Sequence, residues 1–141
     1  MAGKSPWRLT RHQHRVVTDA VAAAEERTGL QFCVYLGPTE DDARAHAERM
    51  FVDAGLHSRP AVLLLVAPPE RRVEIVTAEA ARARVSDEAC RHAITGMADH
   101  FRIGRFAAGI AVGLSQLADA AGPGTAEPGE PGEQMPDLIE E

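Results

Sequence analysis

Aromatic side chains are scarce. One Trp, one Tyr and four Phe make up 4% of the 141 residues, so any core has to be built mainly from Ala, Val, Leu and Ile. There are only two cysteines, Cys33 and Cys90, and no Cys-x-x-Cys pair, so both thiols are expected free and buried rather than bridged. No apolar stretch approaches the roughly 18–20 residues that a membrane-crossing helix needs. Lys4, Arg8, Arg11 and Arg15 have no apolar segment behind them, which argues against a secretory signal and sets the expectation of a cytoplasmic protein. Ser58, Ser86 and Ser115 lack a Gly-x-Ser-x-Gly setting, and no glycine-rich loop is present to cradle phosphate. His12 and His14 stand two apart and so point to different sides of a helix, while His46, His57, His92 and His100 are scattered. None has Cys or carboxylate at metal-ligand spacing.

What the chain does have is an ordinary soluble composition, 45% hydrophobic and 26% charged, in a length suited to one domain with a real core. The formal net charge of -6 is uneven. The first fifteen residues are basic, and the stretch from Gly122 carries Glu127, Glu130, Glu133, Asp137, Glu140 and Glu141 with no base. The body between them is only mildly acidic, which gives a nucleic-acid partner little support.

The periodicity predicts an alternation of helices and strands. Thr10–Thr28 reads as a helix stopped by Gly29, followed by a strand over Leu30–Leu36. Thr39 is expected to cap a second helix with Glu40, Asp41 and Asp42 in its first turn, running to about Ala54. Two short apolar runs, Val62–Val66 and Val73–Val76, flank Pro68-Pro69 and read as a β-hairpin. The first, unbroken by polar residues, suits a strand covered on both faces. An irregular link at Arg82–Val85 leads to Ser86, which should cap a third helix with Val85 as its staple. Gly104 separates that helix from a last one over Arg105–Ala121, where Gly109 and Gly113 allow close packing against a neighbour. From Gly122 to Glu141, Pro and Gly alternate with Glu, the composition of a disordered acidic tail. The expected fold class is α/β: a small mixed β-sheet with helices on both faces, an α/β/α sandwich. The expected divisions are a flexible basic N-terminus (1–8), the α/β/α domain (9–121) and the tail (122–141).

Particular residues add a resemblance. They are Thr28-Gly29 before the first strand, Ala47 and Phe51 in the second helix, and the strand Val62–Ala67. To these add the Arg72–Ile75 turn into a strand and the Phe-x3-Arg-Phe-x2-Gly-x3-Gly pattern from Phe101 to Gly113. Together they resemble the TPM domain family, which includes thylakoid-lumen acid phosphatase and photosystem-repair proteins. Trp7, Phe32–Tyr35 and Glu74–Thr77 make the chain most similar to an actinobacterial branch of that family. The resemblance implies the α/β/α fold, and it implies phosphatase or calcium-binding activity wherever the loop carboxylates are kept. Here the turn after the third strand, Thr77-Ala78-Glu79-Ala80-Ala81, has no glycine. Gly104-Arg105-Phe106 puts a cation where the family has a carboxylate, and Arg59-Pro60 replaces an Asn-Gly.

Two groups of side chains are candidate sites. Glu40, Asp41 and Asp42 form the one dense carboxylate cluster of the body and would suit calcium or another divalent cation, though an acidic first helical turn has the same composition. Arg82, Arg84, Arg102 and Arg105, with Arg71 and Arg72, would bind an anion if they gather at one edge of the sheet; otherwise they form a solvated surface. Cys90 sits where a helix N-terminus lowers a thiol pKa, against the alternative of packing beside Val85. The reading that follows is a non-catalytic TPM-like module with no cofactor, acting on a protein partner and not on nucleic acid or membrane. Its alternatives are a metal-assisted acid phosphatase and a regulator that binds a phosphorylated small molecule.

Overall fold

The computed structural model describes residues 7–40, 42–124 and 137–141. Helix α1 (Arg11–Thr28) opens with a capping box in which Thr10 and Gln13 bond each other's backbone N–H. It ends at Gly29, whose φ of +76° only glycine adopts without strain. Val17, Val21, Ala24 and Thr28 are the buried residues of α1. Strand β1 (Gln31–Leu36) follows, then α2 (Ala43–Asp53), β2 (Ala61–Ala67) and β3 (Arg72–Thr77). After them come a one-turn helix α3 (Glu79–Arg82), α4 (Asp87–Arg102), α5 (Phe106–Ala121) and a three-residue strand β4 (Leu138–Glu140).

The four strands form one mixed sheet in the order β3-β2-β1-β4. β1 pairs parallel with β2, Gln31 opposite Ala61, and β2 pairs antiparallel with β3 through the double-proline turn. Arg71 closes that turn in the left-handed conformation at φ +53°. Alternation along the strands sends their side chains to two cores. Phe32, Val34, Leu36, Val62, Leu64 and Val66 pack with α1, α4 and α5 on one face. Cys33, Tyr35, Leu63 and Leu65 pack with Ala43, Ala47 and Phe51 of α2 on the other. Every residue of β2 is buried, which is why its sequence reads as an uninterrupted apolar run. Each fully buried Val or Leu contributes about 1.5–3 kcal/mol, so this double-sided burial outweighs any surface ion pair.

Ser86 caps α4 through the Ala89 N–H (3.1 Å), with Asp87 and Glu88 in the favourable first turn. Gly109 and Gly113 let α5 lie against α4. A Cβ at Gly109 would meet the Phe101 ring, and one at Gly113 would overlap the Met97 side chain. No helix among the described residues is long and apolar enough to cross a membrane.

Several local details depart from the expectation. Thr39 does not cap α2: its N–H and hydroxyl both donate to the Glu70 carboxylate, at 2.7 and 2.9 Å. Asp42 is the cap instead, accepting from the Ala45 N–H at 3.1 Å. Glu40 and Asp42 therefore precede the helix, and Asp41 lies outside the described residues. The link before α4 begins one turn earlier than expected, as α3. The expected tail 122–141 ends in β4, because Leu138 and Ile139 are its apolar pair and alternate onto the two cores at the free edge of β1. Residues 125–136 of that stretch, like 1–6 of the expected N-terminal arm, lie outside the described residues. Trp7, placed in the arm, packs on the core and its indole N–H donates to the Glu141 carbonyl at 3.3 Å.

Candidate functional site

The loops after β1 and β2 lie at one end of the sheet and carry the carboxylates Glu40, Asp42 and Glu70. Asp42 and Glu70 are engaged by local structure. Asp42 caps α2 and Glu70 holds Thr39 by two hydrogen bonds. Those bonds, the Thr39 N–H first, keep the Glu70 carboxyl below its ordinary pKa. The Glu40 backbone N–H faces His46 Nδ1 at 3.4 Å, and the His46 ring sits 5.6 Å from that of Tyr35. Tyr35 gives its hydroxyl proton to the Pro38 carbonyl. Burial, followed by the charges of Glu141, Glu70 and Glu40, pushes its phenol up to about 12. Glu40 lines a shallow cleft of about 440 Å³ with His46, Arg49, Asp53 and Ile139. Among the described residues no three His, Cys, Asp or Glu side chains converge as metal ligands.

The arginines divide among four places. Arg84 turns inward to the ends of two helices, donating to the Thr28 carbonyl of α1 (2.7 Å) and to Gly122 (2.8 Å) and Ala121 (3.4 Å) at the end of α5. A guanidinium among carbonyls at two helix C-termini is a structural clamp, favoured by both dipoles. Arg82 lines a cleft of about 510 Å³ between β3 and α4, with Arg44, Arg91, Glu74, Thr77, Asp87 and Cys90. Arg102 lines a second cleft of about 520 Å³ with Arg71, Arg72, Phe101 and Phe106, and pairs with Asp99 at 2.7 Å. Ile94 lines both clefts and joins them along α4. Arg105 is exposed at the start of α5.

Within the first cleft, Arg44 is held by the Ile75 carbonyl (2.9 Å), Glu48 (3.0 Å) and Glu74 (3.7 Å). Glu74 also takes Arg72 at 2.8 Å, so one carboxylate offsets two guanidiniums. The Cys90 thiol is pushed up, by burial first and then by the Asp87 charge, opposite to the shift expected from a helix N-terminus. Cys33, in the other core, is pushed up to about 12 by burial and by Glu25 and Asp137. Both cysteines are free and buried, and neither is a ready nucleophile.

Sequence reading missed Arg44, Arg91, Thr77 and Glu70. Arg44 belongs to α2 and Arg91 to α4, and only the packing of both helices beside β3 brings them together. On its own helix each looks like any solvated cation. Glu70, just past two prolines, has no spacing that pairs it with Thr39.

The TPM domain model matches residues 7–120. Among solved structures, the chain is similar to the BA42 protein from Bizionia argentinensis at 21% identity and a TM-score of 0.78, covering 94% of this chain and 95% of that one. It is also similar to the N-terminal domain of a protein from P. gingivalis (19% identity, TM-score 0.70, covering 79% and 75%). The N-terminal domain of the cg2496 protein from Corynebacterium glutamicum is a third (11% identity, TM-score 0.65, covering 85% and 81%). At these identities the likeness speaks for the fold alone. A search of curated proteins returns no significant match.

Proposed function

The chain belongs to the TPM domain family, and from that premise we propose that it is a non-catalytic interaction module, whose partner docks along the arginine-lined groove between β3 and α4. The observation that carries this reading is the state of the loop-end carboxylates. One oxygen of Asp42 holds a helix cap and one oxygen of Glu70 takes both Thr39 bonds, so a bound cation would share these carboxylates with the fold. The groove offers the opposite: exposed guanidiniums of Arg82, Arg91 and Arg102 beside the partly buried apolar Ile94 and Phe101. That combination suits an acidic, partly apolar protein surface, with arginines at the rim and apolar anchors between.

The test is a turnover assay of the purified chain on phosphate monoesters with calcium, magnesium or manganese. The expected result is a rate indistinguishable from the blank. Turnover by the intact chain that is lost in Asp42→Asn, with the fold retained, overturns the reading in favour of a metal-assisted acid phosphatase.

One observation supports a second reading, the anion-binding regulator. Thr77 lies in the first cleft with Arg82 and Arg91, a grouping that fits a small oxyanion. A thermal-shift screen with sugar phosphates and nucleotides separates the two, since a ligand of the native state raises the melting temperature. A rise that disappears in Arg82→Gln/Arg91→Gln assigns the cleft to a small molecule, and no rise leaves it to the partner protein.

A further inference from the structure

The second cleft carries an inference that goes beyond protein docking along the groove. It lies between the hairpin turn joining β2 to β3, the C-terminal half of α4 and the start of α5. Ile94, Ala98, Phe101 and Arg102 recur at helical spacing and so share one face of α4. Ala98 is the small member of that row, and its short side chain leaves a recess between Ile94 and Phe101, one turn to either side. Buried Val66 and Ala67 line the cleft from β2, and Pro68 and Val73 from the hairpin. The Phe101 and Phe106 rings, stacked with centroids 5.5 Å apart, line it from the helices. A volume of about 520 Å³ is the size of a small-molecule site.

The charge around this cleft is one-sided. Arg71, Arg72 and Arg102 line it, and no carboxylate is among its lining residues. Glu74 answers Arg72 at 2.8 Å and Asp99 answers Arg102 at 2.7 Å, whereas Arg71 has no ion-pair partner among the described residues. Arg71 is also the one non-glycine residue at positive φ among the described residues, a backbone that Gly or Asn adopts more readily. Strain kept at an exposed, unanswered cation is the pattern of a functional position. The geometry points to a binding site for a small amphiphilic acid, a molecule carrying one carboxylate or phosphate on a short apolar chain or ring. The apolar body enters beside Ala98, and the anionic head meets the Arg71 guanidinium, with Arg72 and Arg102 adding to the field. A head group alone leaves the apolar lining wet, and a neutral chain leaves Arg71 unanswered. The first cleft lacks this one-sided charge, because Glu74 and Asp87 sit among its arginines.

The experiment is an NMR titration of the full chain with octanoate and with phenylbutyrate, each beside its neutral alcohol. At least one acid is expected to move the Val73, Ala98 and Phe101 amide signals saturably below about 1 mM. Its alcohol should bind at least about 10-fold more weakly, the scale of one charge-assisted hydrogen bond. Tighter binding of octanoate assigns the cleft to an acyl chain, tighter binding of phenylbutyrate to a ring, and either supports the inference. Arg71→Asn removes the cation while suiting the left-handed backbone. Its melting temperature should therefore not fall, while its affinity for the tighter acid drops about 10-fold. Ala98→Leu fills the recess and should abolish binding, whereas Arg82→Gln/Arg91→Gln, at the first cleft, should leave it unchanged. No saturable movement up to about 1 mM, equal binding of acid and alcohol, or a folded Arg71→Asn that binds as before overturns the inference. So does loss of binding in Arg82→Gln/Arg91→Gln, which assigns the acid to the first cleft. None of these readouts depends on a protein partner, so the docking reading can fail without touching them.

Discussion

Arg84 shows how far one side chain's role depends on where the chain ends its helices. In sequence it is one of several arginines available to an anion; in the fold its donors are taken by carbonyls that no helix can satisfy internally. Arg84→Ala is expected to destabilise the protein by about 2–3 kcal/mol in urea unfolding, the scale of charged hydrogen bonds lost at a partly buried site. Arg84→Gln should recover only part of this, having two donors rather than five. Glu25 behaves differently. Burial raises its carboxyl pKa most strongly, and nearby Asp137 adds to the rise, against the hydrogen bond from the Phe32 N–H. Because the folded pKa lies above the unfolded one, its favourable contribution is complete below the unfolded value and is lost as pH rises through the folded value. Glu25→Gln keeps an oxygen for the Phe32 N–H and removes the charge. It is therefore expected to raise the melting temperature at pH 7, by about 1–3 °C, with the gain vanishing towards pH 4. A gain that grows on acidification contradicts this sign.

At the scale of elements, the contact of α4 with α5 rests on the two glycines of α5. Gly113→Ala improves helix propensity by about 0.5–1 kcal/mol but drives a methyl into the fully buried Met97, and overpacking costs about 1–3 kcal/mol. The overpacking wins, and net destabilisation on the order of 1 kcal/mol is expected in denaturant unfolding; a stabilised variant would mean that the two helices separate easily. That packing was legible from the spacing of Gly109 and Gly113, as were the hairpin around the double proline, the parallel pairing of β1 with β2 and the Ser86 cap. The start of α2 was not legible. Thr39 and Asp42 are both good caps, and the choice fell to Glu70, thirty-one residues away, which engages Thr39. Local sequence cannot see a competitor brought in by the hairpin. β4 escaped for a related reason: three residues with two apolar side chains gain meaning only beside β1.

At the scale of the molecule, the residues of the two candidate sites read from sequence take up separate places. Glu40 and Asp42 lie at the loop end of the sheet, where Asp42 caps α2, and Asp41 lies outside the described residues. The four named arginines do not share one site: Arg84 serves helix ends, Arg82 and Arg102 line separate clefts, and Arg105 is exposed at the start of α5. Residues unnoticed in the sequence, Arg44 and Arg91, complete the groove that joins those clefts at Ile94. On the proposed function, recognition lies on the flank of the sheet, while the loop end serves the turns of the fold. An NMR titration of the full chain with calcium tests that division most directly. The Thr39, Glu40, Asp42 and Glu70 amide signals are expected to stay in place up to about millimolar calcium, the range of the weakest dedicated protein sites. Saturable movement of those four signals together would contradict it, and would return the loop end to the role of a metal centre.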